Sequence, residues 1–86
     1  MNDYPQTDVT FTKGEEIFCM YKLGLEGSGM TKLIEAIFAL DIPNREKIAL
    51  GFPELVDCIN RYGFEKGYWH DLVNRWNSQG WQQLQY

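Results

Sequence analysis

The hydrophobic positions along the chain recur mainly at helical spacing. In the clearest stretch the apolar residues fall at i, i+3, i+4, i+7 and i+8, which is typical of an amphipathic helix. These residues are Met30, Leu33, Ile34, Ile37 and Phe38. A second stripe lies near the carboxyl end, at Trp69, Leu72, Val73 and Trp76. Both stripes predict helices that bury one face.

Local signals predict where further helices begin. Thr12 followed by Glu15 forms a capping box, so we expect a helix from Thr12 onward. The run Ile17–Leu23 within it also fits a buried strand by residue type, although its apolar spacing favours a helix. Ser28 and Asn44 are residue types that cap helices, and we expect each of them to cap the helix that follows it.

Prolines and glycines predict where helices start and stop. Pro43 disfavours helical backbone at Ile42, so the clearest helix should end near Asp41. A short helical piece then runs to Leu50 and stops at Gly51. Pro53 suits the first position of the next helix, whose apolar stripe is followed by a stop signal at Gly63.

The predicted architecture is all-α, a small bundle or orthogonal array of four to five short helices. Residues 1–11 are expected to form a mobile or loosely docked arm, 12–77 the helical domain, and 78–86 a tail over its surface. Val9 and Phe11 alternate with threonines, a pattern that also fits a short extended segment.

Composition narrows the class of protein. The chain has 86 residues, of which 44% are hydrophobic and 15% aromatic, as expected for one compact domain. Twelve acidic residues against eight basic ones give a net charge of −4, which disfavours a main role in neutralising phosphates. Residues 1–12 lack a secretory pattern and no apolar run could span a bilayer, so we expect a cytoplasmic protein.

The residues suited to chemistry form no complete motif. Cys19 and Cys58 have no metal-binding spacing and are expected to be buried free thiols. His70 and Asp71 are neighbours that point about 100° apart on a helix, so they cannot act as a base and its orienter. We therefore predict that the protein is not an enzyme and has no catalytic or metal site.

One glycine-rich segment partly matches the phosphate loop G-x-x-x-x-G-K-[ST]. This segment is 24–31, in which Met30 stands where the phosphate-binding lysine belongs. Lys32 lies two positions further and points about 200° away, so it cannot substitute. We expect an interhelical loop here and no bound cofactor.

Two helices joined by a turn also outline a helix-turn-helix, in which Arg45 and Lys47 would face DNA. Glu46 lies between them, and the second helix would have barely two turns, which disfavours phosphate binding. A weak DNA-binding module is therefore the alternative function.

Aromatic residues are concentrated near the carboxyl end. Trp69 and Trp76 belong to the helical stripe and are expected in the core. Tyr68, Trp81 and Tyr86 lie outside it and are the predicted partner-binding residues, because tyrosine and tryptophan are enriched at interaction hot spots. The leading prediction is a small interaction or regulatory module that binds an unidentified protein partner or a second copy of itself.

Overall fold

A computed structural model of the protein describes residues 10–86, which form five helices and no strand. The helices are α1 (Lys13–Lys22), α2 (Ser28–Ala39), α3 (Ile42–Ala49), α4 (Pro53–Phe64) and α5 (Tyr68–Asn77). The all-α prediction is therefore confirmed. Residues 1–9, which include most of the predicted arm and Val9 of the extended segment, lie outside the described residues.

Helix α4 is the centre of the fold, since α1, α2, α3 and α5 all pack against it. Helices α1 and α4 run parallel, because Gly14 lies beside Glu54 and Lys22 lies beside Tyr62. The core comprises Phe18, Cys19, Ile34, Ile37, Leu55, Val56, Cys58, Ile59, Tyr68, Leu72, Val73, Trp76 and Leu84. Across residues 10–86, no helix has both the length and the apolar character needed to cross a bilayer.

The beginning of α1 confirms the predicted capping box. The Glu15 N–H donates to the Thr12 hydroxyl at 3.0 Å, and the Thr12 N–H donates to the Glu15 carboxylate at 3.0 Å. Each side chain thus satisfies a backbone donor that the first turn of a helix leaves unpaired. The run Ile17–Leu23, which also fitted a strand, is helical as far as Lys22.

Two other predicted caps are wrong. The N-cap of α2 is Gly27, and Ser28 is the first helical residue. The N-cap of α3 is Asp41, whose carboxylate accepts from the Asn44 N–H at 3.0 Å. Helix α3 therefore begins before Pro43, because a proline in the first turn removes only an N–H that has no partner in the helix.

The end of α4 also differs from the prediction. Gly63 lies inside the helix, which continues to Phe64, while Pro53 begins it as expected. The glycine that reverses the chain is Gly67, with a φ of 85°, and it leads directly into α5. A left-handed backbone conformation is required at Gly67, so the turn residue is four positions later than the sequence signal.

The segment after α5 lies along the helices and contributes one side chain to the core. Leu84 is buried, and its backbone N–H and carbonyl both bond to the Asn77 amide side chain, at 2.7 and 3.1 Å. The Trp76 indole N–H donates to the Gln82 carbonyl at 2.9 Å. These bonds hold residues 82–84 against α5.

Candidate functional site

The parallel helices α1 and α4 touch through their backbones at one end, which we call the glycine end. A Cβ added at Gly14 would lie 2.2–2.4 Å from backbone atoms of Glu54 and Leu55. Real Cβ contacts are never that short, and these neighbours are backbone atoms that cannot rotate away. The close approach of the two helices therefore requires glycine at position 14.

A buried carboxylate joins α1 to α5 beside the glycine end. The Tyr68 hydroxyl donates to the Glu15 carboxylate at 2.6 Å, and Arg75 donates to the same oxygen at 3.2 Å. Burial alone would raise the pKa of Glu15, but the bonds from Tyr68, Thr12 and Arg75 outweigh it and lower that pKa. Glu15 is consequently an ionised group that ties the first turn of α1 to α5.

The residues beside this carboxylate are not suited to nucleophilic chemistry. Cys19 and Cys58 are buried and free, as predicted, and burial raises the pKa of both thiols, that of Cys58 to about 11. The Tyr68 hydroxyl lies 3.4 Å from the Cys58 sulfur, and burial raises its pKa well above the usual value. Tyr68, a predicted partner-binding residue, belongs to the core because its hydroxyl has a buried acceptor in Glu15.

At the opposite end of the α1–α4 pair, aromatic rings fill the space between helices. This aromatic end consists of Phe18 on α1, Tyr62 on α4 and Trp69 on α5. Their ring centroids lie 5.1–5.8 Å apart, with each pair close to edge-to-face. Such arrangements place the positive edge of one ring on the negative face of the next.

Lys22, the last residue of α1, places its ammonium over this cluster. The nitrogen lies 4.8 Å from the centroid of Tyr62, 5.4 Å from Trp69 and 5.9 Å from Phe18. It donates one hydrogen bond, at 3.0 Å, to the Tyr62 hydroxyl. Within residues 10–86, no carboxylate forms an ion pair with Lys22. An ammonium has three N–H donors, so two of them remain available.

Lys22 lines a pocket of about 340 Å³, which we call the Lys22 pocket. Its walls are Lys22, Leu23, Trp69, Gln83, Leu84, Gln85 and Tyr86. The Trp69 indole N–H donates to the Tyr86 backbone oxygen at 3.3 Å, and the Tyr86 ring stacks on His70 with centroids 4.2 Å apart. The Tyr86 hydroxyl also bonds to Asn74, while 64% of the residue stays exposed.

Of the three predicted partner-binding residues, only Tyr86 lies at this pocket. Trp81 is half-buried and packs edge-on against Trp76, with centroids 5.8 Å apart. Trp76 is fully buried as predicted, and Trp69 is half-buried. Sequence reasoning missed Lys22, because nothing in the local pattern shows that a lysine at the end of one helix meets rings from two others.

A second pocket, of about 240 Å³, opens at the glycine end. Its lining residues are Lys13, Gly14, Ile17, Gly51, Phe52, Pro53, Glu54 and Leu55. We call it the turn pocket, since the turn between α3 and α4 forms one wall. On that turn Leu50 is 90% exposed and Phe52 is 41% exposed.

Arg45 and Lys47, the two residues predicted to face DNA, differ in burial. The Arg45 guanidinium is buried and donates to oxygens at the carboxyl end of α2 and on α4, at 2.8–3.2 Å. Its acceptors are the carbonyls of Ile37, Phe38 and Leu40 and the Asn60 Oδ1 atom. The cation therefore neutralises a helix carboxyl terminus, and only Lys47 is left exposed for phosphate.

The other segments considered for chemistry lie outside both pockets, and neither completes its motif. Segment 24–31 forms a turn and the first residues of α2, and the Thr31 hydroxyl donates to the Glu26 carbonyl at 3.5 Å. Asp71 is paired with Arg75 at 2.9 Å rather than with His70. Among the described residues, histidine, cysteine, aspartate and glutamate form no group of three that could hold a metal ion.

Comparisons with protein-family models, curated proteins and solved structures give no match to this chain.

Proposed function

We propose that the protein is a small interaction module that binds an acidic segment of a partner protein in the Lys22 pocket. The observation that carries this proposal is the position of the Lys22 ammonium. It is held by three aromatic rings and one hydroxyl, and it has no carboxylate partner within residues 10–86. A carboxylate that enters the pocket can accept charge-assisted hydrogen bonds from the remaining N–H donors of Lys22.

The walls of the pocket favour a peptide over an isolated anion. Trp69 and Leu23 provide half-buried apolar surface, and Gln83 and Gln85 also line the pocket. A segment that carries a glutamate next to an apolar side chain could use both the ammonium and the ring surface. Hydrophobic burial would supply affinity, and the ion pair would select an acid over a base.

The charge of the whole chain limits how strongly such a partner is attracted from a distance. The net charge is −4, so an acidic segment is repelled until it reaches the local field of Lys22. Added salt screens the long-range repulsion as well as the local attraction. We therefore expect binding that changes little with salt, in contrast to the steep loss that salt causes in DNA binding.

The experiment is an amide and indole NMR titration with a capped peptide of alternating glutamate and phenylalanine residues. Binding should shift the indole N–H signal of Trp69 and the amide signals of 83–86. The indole of Trp76, which is buried and bonded to Gln82, should not move. A peptide in which glutamine replaces each glutamate should bind at least about tenfold more weakly.

Two lysine variants separate local recognition from general charge. Lys22→Gln should weaken binding of the acidic peptide at least about tenfold, because the pocket loses its cation. Lys32→Gln removes an exposed lysine of α2 that does not line the pocket, and it should bind as the unchanged protein does. Equal affinity for the glutamate and glutamine peptides, or equal weakening by both variants, would contradict the proposal.

A further inference from the structure

The turn between α3 and α4 holds a large apolar side chain out in water. The N–H groups of Gly51 and Phe52 both donate to the Ile48 carbonyl at 3.0 Å, so the backbone of this turn is well bonded. Leu50, directly before them, is 90% exposed. An isolated exposed leucine is common in proteins, but this one lies beside an apolar cavity.

That cavity, the turn pocket, has room for such a side chain. Its volume of about 240 Å³ exceeds the roughly 150 Å³ of an engineered protein cavity that binds benzene. Its walls include the apolar residues Ile17, Phe52 and Leu55. An aliphatic side chain entering it would remove apolar surface of both molecules from water.

We infer that the protein self-associates as a two-fold dimer in which Leu50 of each copy enters the turn pocket of the other. Leu50 directly precedes Gly51 and Phe52, which line the pocket, so the exposed side chain and the pocket belong to the same turn. In an isologous pair both insertions are made at once, because each surface meets its own copy. An unrelated partner would need either a pocket for Leu50 or a side chain that fills the turn pocket, whereas a second copy supplies both.

The charges at the rim agree with a second copy as the occupant. Lys13 and Glu54 line the pocket, and both are exposed, so each copy presents one cation and one anion. A two-fold axis allows Lys13 of one copy to lie opposite Glu54 of the other, and reciprocally. Such a rim avoids the like-charge contacts that would exclude self-association.

The dimer is expected to be weak. Leu50 and the exposed part of Phe52 form a small apolar area compared with the roughly 800 Å² per partner of a standard stable interface. Association should therefore depend on concentration, with monomer dominant at about 10 µM and dimer detectable by about 1 mM.

Sedimentation velocity over that concentration range tests the dimer, with two leucine variants for comparison. Leu50→Gln should remain monomeric or dimerise at least about tenfold more weakly, and it should fold normally because the side chain is exposed. Leu25→Gln is the matched control, since Leu25 is 49% exposed and does not line the turn pocket. A monomeric unchanged protein at about 1 mM, or unaltered dimerisation of Leu50→Gln, would overturn the proposal.

The geometry of the dimer has its own test. In a mixture of isotope-labelled and unlabelled copies, filtered NOE spectra should connect the Leu50 methyls of one copy to the Ile17 and Leu55 methyls of the other. A dimer without these intermolecular NOEs would overturn the proposed insertion, even if its mass is that of two chains.

Discussion

The two ends of the α1–α4 pair differ in the atoms through which the helices make contact. At the glycine end the helices meet through backbone atoms, and position 14 has no room for a Cβ. At the aromatic end Phe18 and Tyr62 keep the helices apart with rings 5.1 Å between centroids, and Lys22 lies over the ring faces. The contrast teaches that a backbone contact tolerates no added atom, whereas a ring contact leaves surface that a cation or a partner can use.

The largest loss of stability should come from adding a Cβ at the glycine end. Gly14→Ala places a Cβ against the α4 backbone, so the helices must separate or distort, and we expect the free energy of unfolding to fall by about 3 kcal/mol or more. Urea unfolding followed by circular dichroism measures the change.

Gly29→Ala is the matched control for this substitution. Gly29 lies in α2 with no heavy atom within 4 Å of an added Cβ, and alanine is favoured over glycine in a helix by up to about 1 kcal/mol. The control should be neutral or slightly stabilising. If Gly14→Ala behaves like Gly29→Ala, the two helices do not touch through their backbones.

The carboxylate beside the glycine end should have an intermediate effect. Glu15→Gln weakens charge-assisted bonds from Tyr68 and Arg75 and should lower the free energy of unfolding by about 2 kcal/mol at pH 7. Because folding lowers the pKa of Glu15, its stabilisation is present above the unfolded pKa, about 4.3, and is lost as the pH falls through the folded pKa.

The difference between the unchanged protein and Glu15→Gln should therefore be similar at pH 7 and pH 5 and smaller at pH 3. Glu35→Gln, an exposed carboxylate on α2, should leave the stability nearly unchanged throughout. A Glu15→Gln difference that stays constant with pH would show that the carboxylate is not an ionised tie between the helices.

The smallest effect should come from the aromatic end. Lys22→Gln removes the cation from the ring cluster and should cost about 0.5–1 kcal/mol of folding stability, the size of an exposed cation–π contact. Lys32→Gln should change stability by less. A loss from Lys22→Gln as large as that from Gly14→Ala would remove the distinction between the two ends.

Local sequence patterns predicted the elements better than their caps. The apolar spacing at Met30–Phe38 and Trp69–Trp76 predicted α2 and α5, and the Thr12 capping box marked the start of α1. The caps at Ser28 and Asn44 were wrong because an earlier residue takes the N-cap conformation: Gly27, one position before Ser28, and Asp41, three positions before Asn44. Several neighbouring residues can serve as a cap, and small differences in free energy decide among them.

The candidate site was only partly predictable. Of the predicted binding residues, Tyr86 is exposed, whereas Tyr68 lies in the core and Arg45 is buried against helix ends. Both residues are polar by type, and each is buried where acceptors satisfy it: Glu15 for Tyr68, and carbonyls at the carboxyl end of α2 for Arg45. Glu15 lies 53 positions from Tyr68, beyond any local pattern.

The sequence alone determined that the chain is helical, where most helices lie, and that both cysteines are suited to the interior. These properties follow from interactions between residues a few positions apart and from side-chain hydrophobicity. Only the tertiary structure decided that α1 and α4 run parallel, with the turn pocket at one end and the Lys22 pocket at the other. Those features depend on contacts made across about 40 positions, which arise only when helices pack.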